Sequence, residues 1–233
     1  MSSTRQIWQL FFTTLMIVLL SIPSAWGEDL NGEWKKVNES DGIIGYTRPT
    51  SKTSVDEVKA IGTVDASVAV IEALLRDVPA QTEYMFMCID ALKVDIPGLE
   101  STRDSFYVYN KTGMPWPVSD RDVVGKVNFM VDKATGTLHV QSHKISTDFR
   151  TQDKKVVRMP IGEVEYILTP IGEGKTEVIY QILADPGGKL PSSLVNMLSK
   201  NLGVKTIAGI REMVKKDKYK NVKSITTTTP WIR

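Results

Sequence analysis

The sequence predicts an α+β fold in which a curved antiparallel β-sheet wraps around one long C-terminal α-helix, with an apolar cavity between them. Three observations predict it. Most of the chain from Trp34 to Leu183 consists of short β-like runs separated by turn formers, and several of them alternate apolar and polar residues. Two segments, 67–76 and 191–216, change to the helical period. Clean alternation leaves the sheet with one apolar face that must be buried, and the last amphipathic segment supplies the cover.

Residues 1–27 read as a leader outside this fold. Arg5 precedes an apolar run over 7–22, interrupted only by Gln9, Thr13, Thr14 and Ser21. Pro23-Ser24-Ala25-Trp26-Gly27 then places small residues at the two positions that govern cleavage. The run is short of the roughly 20 residues that span a bilayer core. Cleavage after Gly27 is therefore expected, releasing an exported (periplasmic or secreted), soluble monomer of 206 residues. That length suits one domain, 29–221, followed by a C-terminal tail, 222–233. The formal net charge falls from +2 to +1 on cleavage, and such a balance argues against a nucleic-acid partner. The lone cysteine, Cys88, lies in an apolar run and reads as a small buried hydrophobe.

An opening three-stranded meander is expected over 34–37, 43–48 and 55–64, with turns at Ser40-Asp41-Gly42 and Pro49-Thr50-Ser51. In 67–76, Val68, Ile71, Leu74 and Leu75 share a helical face, Asp65 or Ser67 is available as N-cap, and Pro79 ends the helix. Strands return at 91–96, 105–109, 123–131, 137–145, 163–168 and 176–183. The clearest hairpin turns are 132–136 and 172–174. Val123, Val127, Phe129 and Val131 share one face; Val164, Tyr166 and Leu168 oppose Glu163 and Glu165; Val178, Tyr180, Ile182 and Ala184 share another. The final helix starts at Pro191 and carries an apolar stripe through Leu194, Met197, Leu198, Leu202, Ile207, Ile210, Met213 and Val214. Gly203 and Gly209 weaken it by about 1 kcal/mol each and allow a bend or a close backbone approach.

The most specific stretch is Pro115-Trp116-Pro117-Val118-Ser119-Asp120-Arg121-Asp122, a stiff non-helical corner followed by an acid–base–acid triplet before an apolar run. The second is Asp185-Pro186-Gly187-Gly188-Lys189-Leu190-Pro191, followed by Val195-Asn196; the hairpin Gly172-Glu173-Gly174-Lys175-Thr176 is a third. Together they resemble the START (StAR-related lipid-transfer) domain family, of the bacterial exported type, over roughly 29–219. The resemblance implies a helix-grip fold. The first motif would open a central strand, and the second would introduce the long helix closing a lipid cavity. Tyr84-Met85 departs from the family's pattern, where a tryptophan is expected.

Taken with the face assignments, the resemblance implies a ligand lining of Val127, Phe129, Tyr166, Tyr180, Leu194, Met197 and Leu198. Pro115, Trp116, Pro117, Arg121 and Asp122 form a polar or structural motif. Arg121 reads as an ion pair or backbone clamp rather than a head-group site, and Trp116 as a core plug or rim residue. His139 and His143, four apart in a strand, stand about 13 Å from each other, too far to share a metal, and read as exposed polar-face residues. No zinc-type cysteine cluster, phosphate-binding glycine loop or nucleophile elbow occurs, and neither enzyme activity, cofactor nor metal is expected. Binding, and transfer, of a lipid or apolar small molecule is the leading reading. An enzyme of the polyketide cyclase or aromatase type is the alternative, and a filled interaction module the third. The lysines from Lys215 to Lys223 complement the helix end, or dock transiently on an anionic membrane. Asn38-Glu39-Ser40 and Asn110-Lys111-Thr112 match the glycosylation sequon.

Overall fold

The computed structural model describes residues 32–149 and 155–232, so the leader and its cleavage point lie outside the described residues. The chain opens with β1 (Lys35–Ser40), β2 (Ile43–Arg48) and β3 (Glu57–Val64), the expected meander. Helix α1 (Val68–Arg76) follows; the Ser67 hydroxyl caps it by accepting from the Val70 N–H at 3.4 Å. Pro79 does stop α1, but the chain continues through a 3-10 turn (Val78–Ala80) into the short helix α2 (Gln81–Tyr84). Proline is tolerated in a first turn, where its missing N–H has no intrahelical acceptor.

Strands β4 (Cys88–Val94), β5 (Ser105–Thr112), β6 (Asp120–Val131), β7 (Leu138–Lys144), β8 (Val156–Arg158), β9 (Ile161–Gly172) and β10 (Lys175–Asp185) complete the sheet. The curved sheet runs β1-β2-β3-β10-β9-β7-β6-β5-β4 and is antiparallel along this path; β8 pairs in parallel with the start of β6. Three residues are too few for alternation to show, so β8 leaves no periodic trace. Helix α3 (Ser192–Met213) lies across β1, β2, β3 and β10, while α1 and α2 cover the β4 and β9 side. The helical period ends at Met213 rather than Lys216, because Lys216 turns extended and starts a separate helix, α4 (Asp217–Lys220).

The inner face and the helices share one core. Phe129, Leu138, Leu168, Val178 and Tyr180 from the sheet meet Ile71 and Leu74 of α1 and Ile207 and Ile210 of α3. Each such side chain contributes about 1.5–3 kcal/mol by leaving water. The two α3 glycines make close approaches. A Cβ at Gly203 would lie 2.6 Å from Ala60 Cβ, and one at Gly209 would lie 2.5 Å from the Tyr84 carbonyl oxygen.

The outer face is drier than alternation suggests. Val94, Ile96, Tyr107, Tyr109 and Val124 form a second apolar cluster there, with Phe149 edge-on to Tyr109 at 6.2 Å. Further along, Glu165 is only 1% exposed; it accepts from Gln141 Nε2 at 3.0 Å.

The segment after α4 packs as a strap. Thr226 and Thr227 donate backbone N–H and hydroxyl groups to Glu72, and Thr228 and Thr229 do the same to Asp104. Arg76 joins the two carboxylates, at 3.0 Å from Glu72 and 2.8 Å from Asp104. Trp231 then stacks on His139 at 4.0 Å. His139 is therefore covered by an aromatic ring and lies 3.4 Å from Glu165, not open on a wet face.

Candidate functional site

The inner face is incompletely filled. An inner cavity of about 60 Å³ lies between the α1–α2 segment and strands β5, β6, β7 and β9. Leu75, Tyr84 and Met85 bound it from the helical side, and Phe106, Val127 and Tyr166 from the sheet. A second cavity of about 110 Å³ lies under the first half of α3, between Val195, Leu198 and Leu202 above and Val58, Ile182 and Ala184 below. Asp56, an exposed residue, and Met114 and Met159 mark its outer side.

The two are neighbours on one surface. Val164 lines the inner cavity and Ile182 the outer one, and they are directly paired across β9 and β10. Asn110 and Thr112 divide in the same way along one face of β5. A single row of side chains therefore separates the cavities.

Of the residues expected to line a ligand site, Val127 and Tyr166 line the inner cavity and Leu198 the outer. Phe129 is fully packed, stacked on Phe106 at 5.7 Å with the Arg76 guanidinium 4.0 Å from its ring. Tyr180 packs on Tyr166 at 4.8 Å behind the inner wall. Leu194 is buried and Met197 half-buried near the start of α3, and neither borders these two cavities. Asn110, Ser142 and Met85 line the inner cavity without having been singled out for it. Parity held the signal for two of them: Asn110 follows Phe106 and Val108 by twos, and Ser142 follows Leu138 and Val140. Asn110 lies within a sequon, yet its amide faces inward and donates to Gln81 Oε1 at 2.5 Å.

Arg121 is a backbone clamp. Its side chain is buried, and it donates to the carbonyls of Ser119, Pro186 (3.1 Å) and Gly187 (3.1 Å), tying the loop before β6 to the loop before α3. Burial lowers its pKa, against the raising effect of Asp120. Asp122 forms a two-pronged pair with Arg158 at 2.6 and 3.0 Å, which holds β8 against β6. Pro115 and the cis-linked Trp116 and Pro117 form the tip of the same loop. Trp116 is 93% exposed, so it is not a core plug; it projects two residues beyond Met114 at the outer cavity.

Among the described residues, the titratable groups lining the inner cavity are phenols. Burial pushes the Tyr84 and Tyr166 hydroxyls well above the ordinary tyrosine range, with nearby Tyr180 and Cys88 adding to it. Cys88 is buried and its thiol pKa is raised by the same desolvation. Among the described residues, no group of three His, Cys, Asp or Glu side chains is placed to hold a metal ion. The lysines past α3 are mostly paired: Lys215 with Glu212, Lys216 with Glu83, Lys218 with Asp77 and Lys220 with Asp217.

A curved sheet gripping a long helix over a partly hollow apolar interior is the helix-grip arrangement. The START domain pattern matches residues 28–220, and the chain belongs to that family. An uncharacterised protein of Pseudomonas aeruginosa is 29% identical over 190 residues, covering 82% of this chain and 91% of its own. Among solved structures, a fragment of the StAR-related lipid transfer protein of Xanthomonas axonopodis is 25% identical. It has a TM-score of 0.68 and covers 78% of this chain and 99% of its own. Human StAR-related lipid transfer protein 5 shares the fold at 17% identity, with a TM-score of 0.67, covering 78% of this chain and 86% of its own.

Proposed function

We propose that this protein binds a lipid or other apolar small molecule between its sheet and α3, carries it without covalent chemistry, and releases it by movement of the first half of α3. The observation that carries the reading is the pair of adjacent apolar cavities, divided by one row of side chains, the inner covered by the α1–α2 segment and the outer roofed by half-buried residues of α3. Both are smaller than a lipid, so uptake needs an opening. Gly187 and Gly188, both at positive φ (64° and 66°), precede α3, and Gly203 marks where it becomes tightly packed. Family membership supports the reading, as does the likeness to the Xanthomonas lipid transfer protein.

A cyclase would need a positioned acid–base group that changes protonation near neutral pH. The inner cavity is lined by no carboxylate, imidazole or amine among the described residues, and its tyrosines are held protonated by burial. This favours the carrier. Membrane contact belongs in this reading to the exposed Trp116, two residues along the chain from Met114 of the outer cavity, since four of the C-terminal lysines are neutralised by acids. Export with cleavage after Gly27 and a monomeric state complete it; recovery of the exported protein with Met1 still attached would contradict the cleavage.

Native mass spectrometry of the protein purified from its own compartment tests the proposal. A bound apolar molecule released on denaturation is expected. Failure to carry any such molecule, together with failure to bind an uncharged dye such as Nile red, would overturn it.

A further inference from the structure

The Tyr166 hydroxyl is the exceptional atom of the inner cavity. The residue is 6% exposed, and its Oη is buried with no hydrogen-bond partner among the described residues. A buried hydroxyl left unpaired has lost its hydration without recompense, and such groups are rare enough to need an explanation. Phenylalanine would fill the same wall without that cost. Besides the Tyr84 hydroxyl, two more neutral polar groups stand on the same cavity. Ser142 is one, and a Cβ at Gly125 would come within 2.7 Å of its Oγ, so glycine at that position leaves the hydroxyl its place. The Asn110–Gln81 amide pair is the other. The remaining walls are hydrocarbon, aromatic or thioether, with no charged side chain among the described residues.

We infer that the ligand is an uncharged amphiphile with a single oxygen head, a hydroxyl or carbonyl, that enters head first and hydrogen-bonds to Tyr166 Oη at the inner cavity. Its hydrocarbon tail passes the Val164–Ile182 row into the outer cavity beneath Leu198 and Leu202. The inference rests on the carrier reading and gives it a ligand class and an orientation. A carboxylate or ammonium in place of the oxygen head would be buried without a counter-charge, at a cost of several kcal/mol. A pure hydrocarbon would leave Oη unpaired. A neutral oxygen satisfies it.

Competition against Nile red by four ligands of one chain length, measured near pH 8, tests this: dodecane, dodecanol, the methyl ketone and dodecanoate. The alcohol and ketone should displace the dye at about tenfold lower concentration than the alkane, the worth of one buried hydrogen bond, and better than dodecanoate. Tyr166→Phe should remove most of that advantage, leave dodecane unchanged, and leave the ligand-free melting temperature unchanged or raised. Ser142→Ala should reduce the advantage by a smaller factor. Retention of the full advantage in Tyr166→Phe, or preference for dodecanoate, would overturn the inference while the carrier reading stands. A clear fall in the ligand-free melting temperature of Tyr166→Phe would overturn it too, by showing that the hydroxyl is structural. If the dye binds but none of the four ligands displaces it, this inference falls alone; if neither the dye nor any of the four binds, the carrier reading falls with it.

Discussion

Val164 and Ile182 face each other across β9 and β10, yet each lines a different cavity. Two side chains in register thus form part of the wall between the interior and the space under α3. Shortening one should join the cavities. Ile182→Ala is expected to destabilise the protein by about 1–3 kcal/mol, because a half-buried aliphatic chain is lost from a packed row. It should also speed dye uptake several-fold, measured by stopped-flow fluorescence. Uptake at the wild-type rate in a folded variant would show that this row is no barrier.

Gly209 lets α3 approach the end of α2 closely. Alanine there would push its methyl to 2.5 Å from the Tyr84 carbonyl oxygen and 2.8 Å from its Cα, both backbone atoms that cannot swing aside. Gly209→Ala should therefore separate α3 from α2 and cost about 2–3 kcal/mol, despite alanine's better helix propensity. A melting temperature lowered by roughly 4–10 °C is expected. A rise would contradict the close contact.

Arg121 links two loops, one of them 65 residues further along the chain, through carbonyls at Ser119, Pro186 and Gly187. Three acceptors on two segments need a planar fork of donors, and a lysine ammonium cannot match it. Arg121→Lys and Arg121→Ala should both lose about 2–4 kcal/mol and loosen the loop before α3. Hydrogen exchange over 186–191 should accelerate in both. Full rescue by lysine would return Arg121 to the status of a simple charge.

The C-terminal strap carries a pH dependence. Burial alone would raise the Asp104 pKa, but donation from the Thr228 and Thr229 backbone, the Thr229 hydroxyl and Arg76 outweighs it and holds the carboxyl well below the usual range. A carboxylate whose pKa is depressed by folding adds stability above its unfolded value, near 4, and loses it as the pH falls toward the folded one. Stability should thus decline from about pH 4 downward, with the strap released as Asp104 protonates. Asp104→Asn should cost about 2–4 kcal/mol at neutral pH and flatten the acid slope, read from denaturant melts and Trp231 fluorescence. An unchanged slope would remove Asp104 from the acid response.

Much of the fold was legible because its period was clean. The β6 face through Val127, Phe129 and Val131 is buried as read, and Ser67 does cap α1. The long helix was readable from its apolar stripe; its end was not, since Lys216 breaks a run whose polarity continues unaltered. The strap was unreadable for a different reason. Four threonines in a row carry no period, and their partners Glu72 and Asp104 lie far upstream, so only tertiary placement pairs them. At the site, the apolar walls could be assigned to a face but not to a void, because a packed core and a lined cavity share one pattern. Phe129 and Tyr180 illustrate it: both point inward, and both are filled in by neighbours. Asn110 and Ser142 are the readable exception, polar residues at inward parity.

Hydrogen exchange along α3, with and without a bound apolar ligand, tests the central claim most directly. Within 194–202, Val195, Leu198, Ser199 and Leu202 roof the outer cavity and the segment is largely half-buried, whereas Val204, Ile207, Ile210 and Met213 are locked into the core. In the free protein, amides of 194–202 should exchange faster than those of 204–213. On ligand binding the first group should gain protection, together with β9 and β10 around Val164 and Ile182, and the second should not change. Bound ligand that leaves 194–202 unprotected, or that instead protects the outer cluster of Tyr107, Tyr109 and Val124, would contradict binding between sheet and helix.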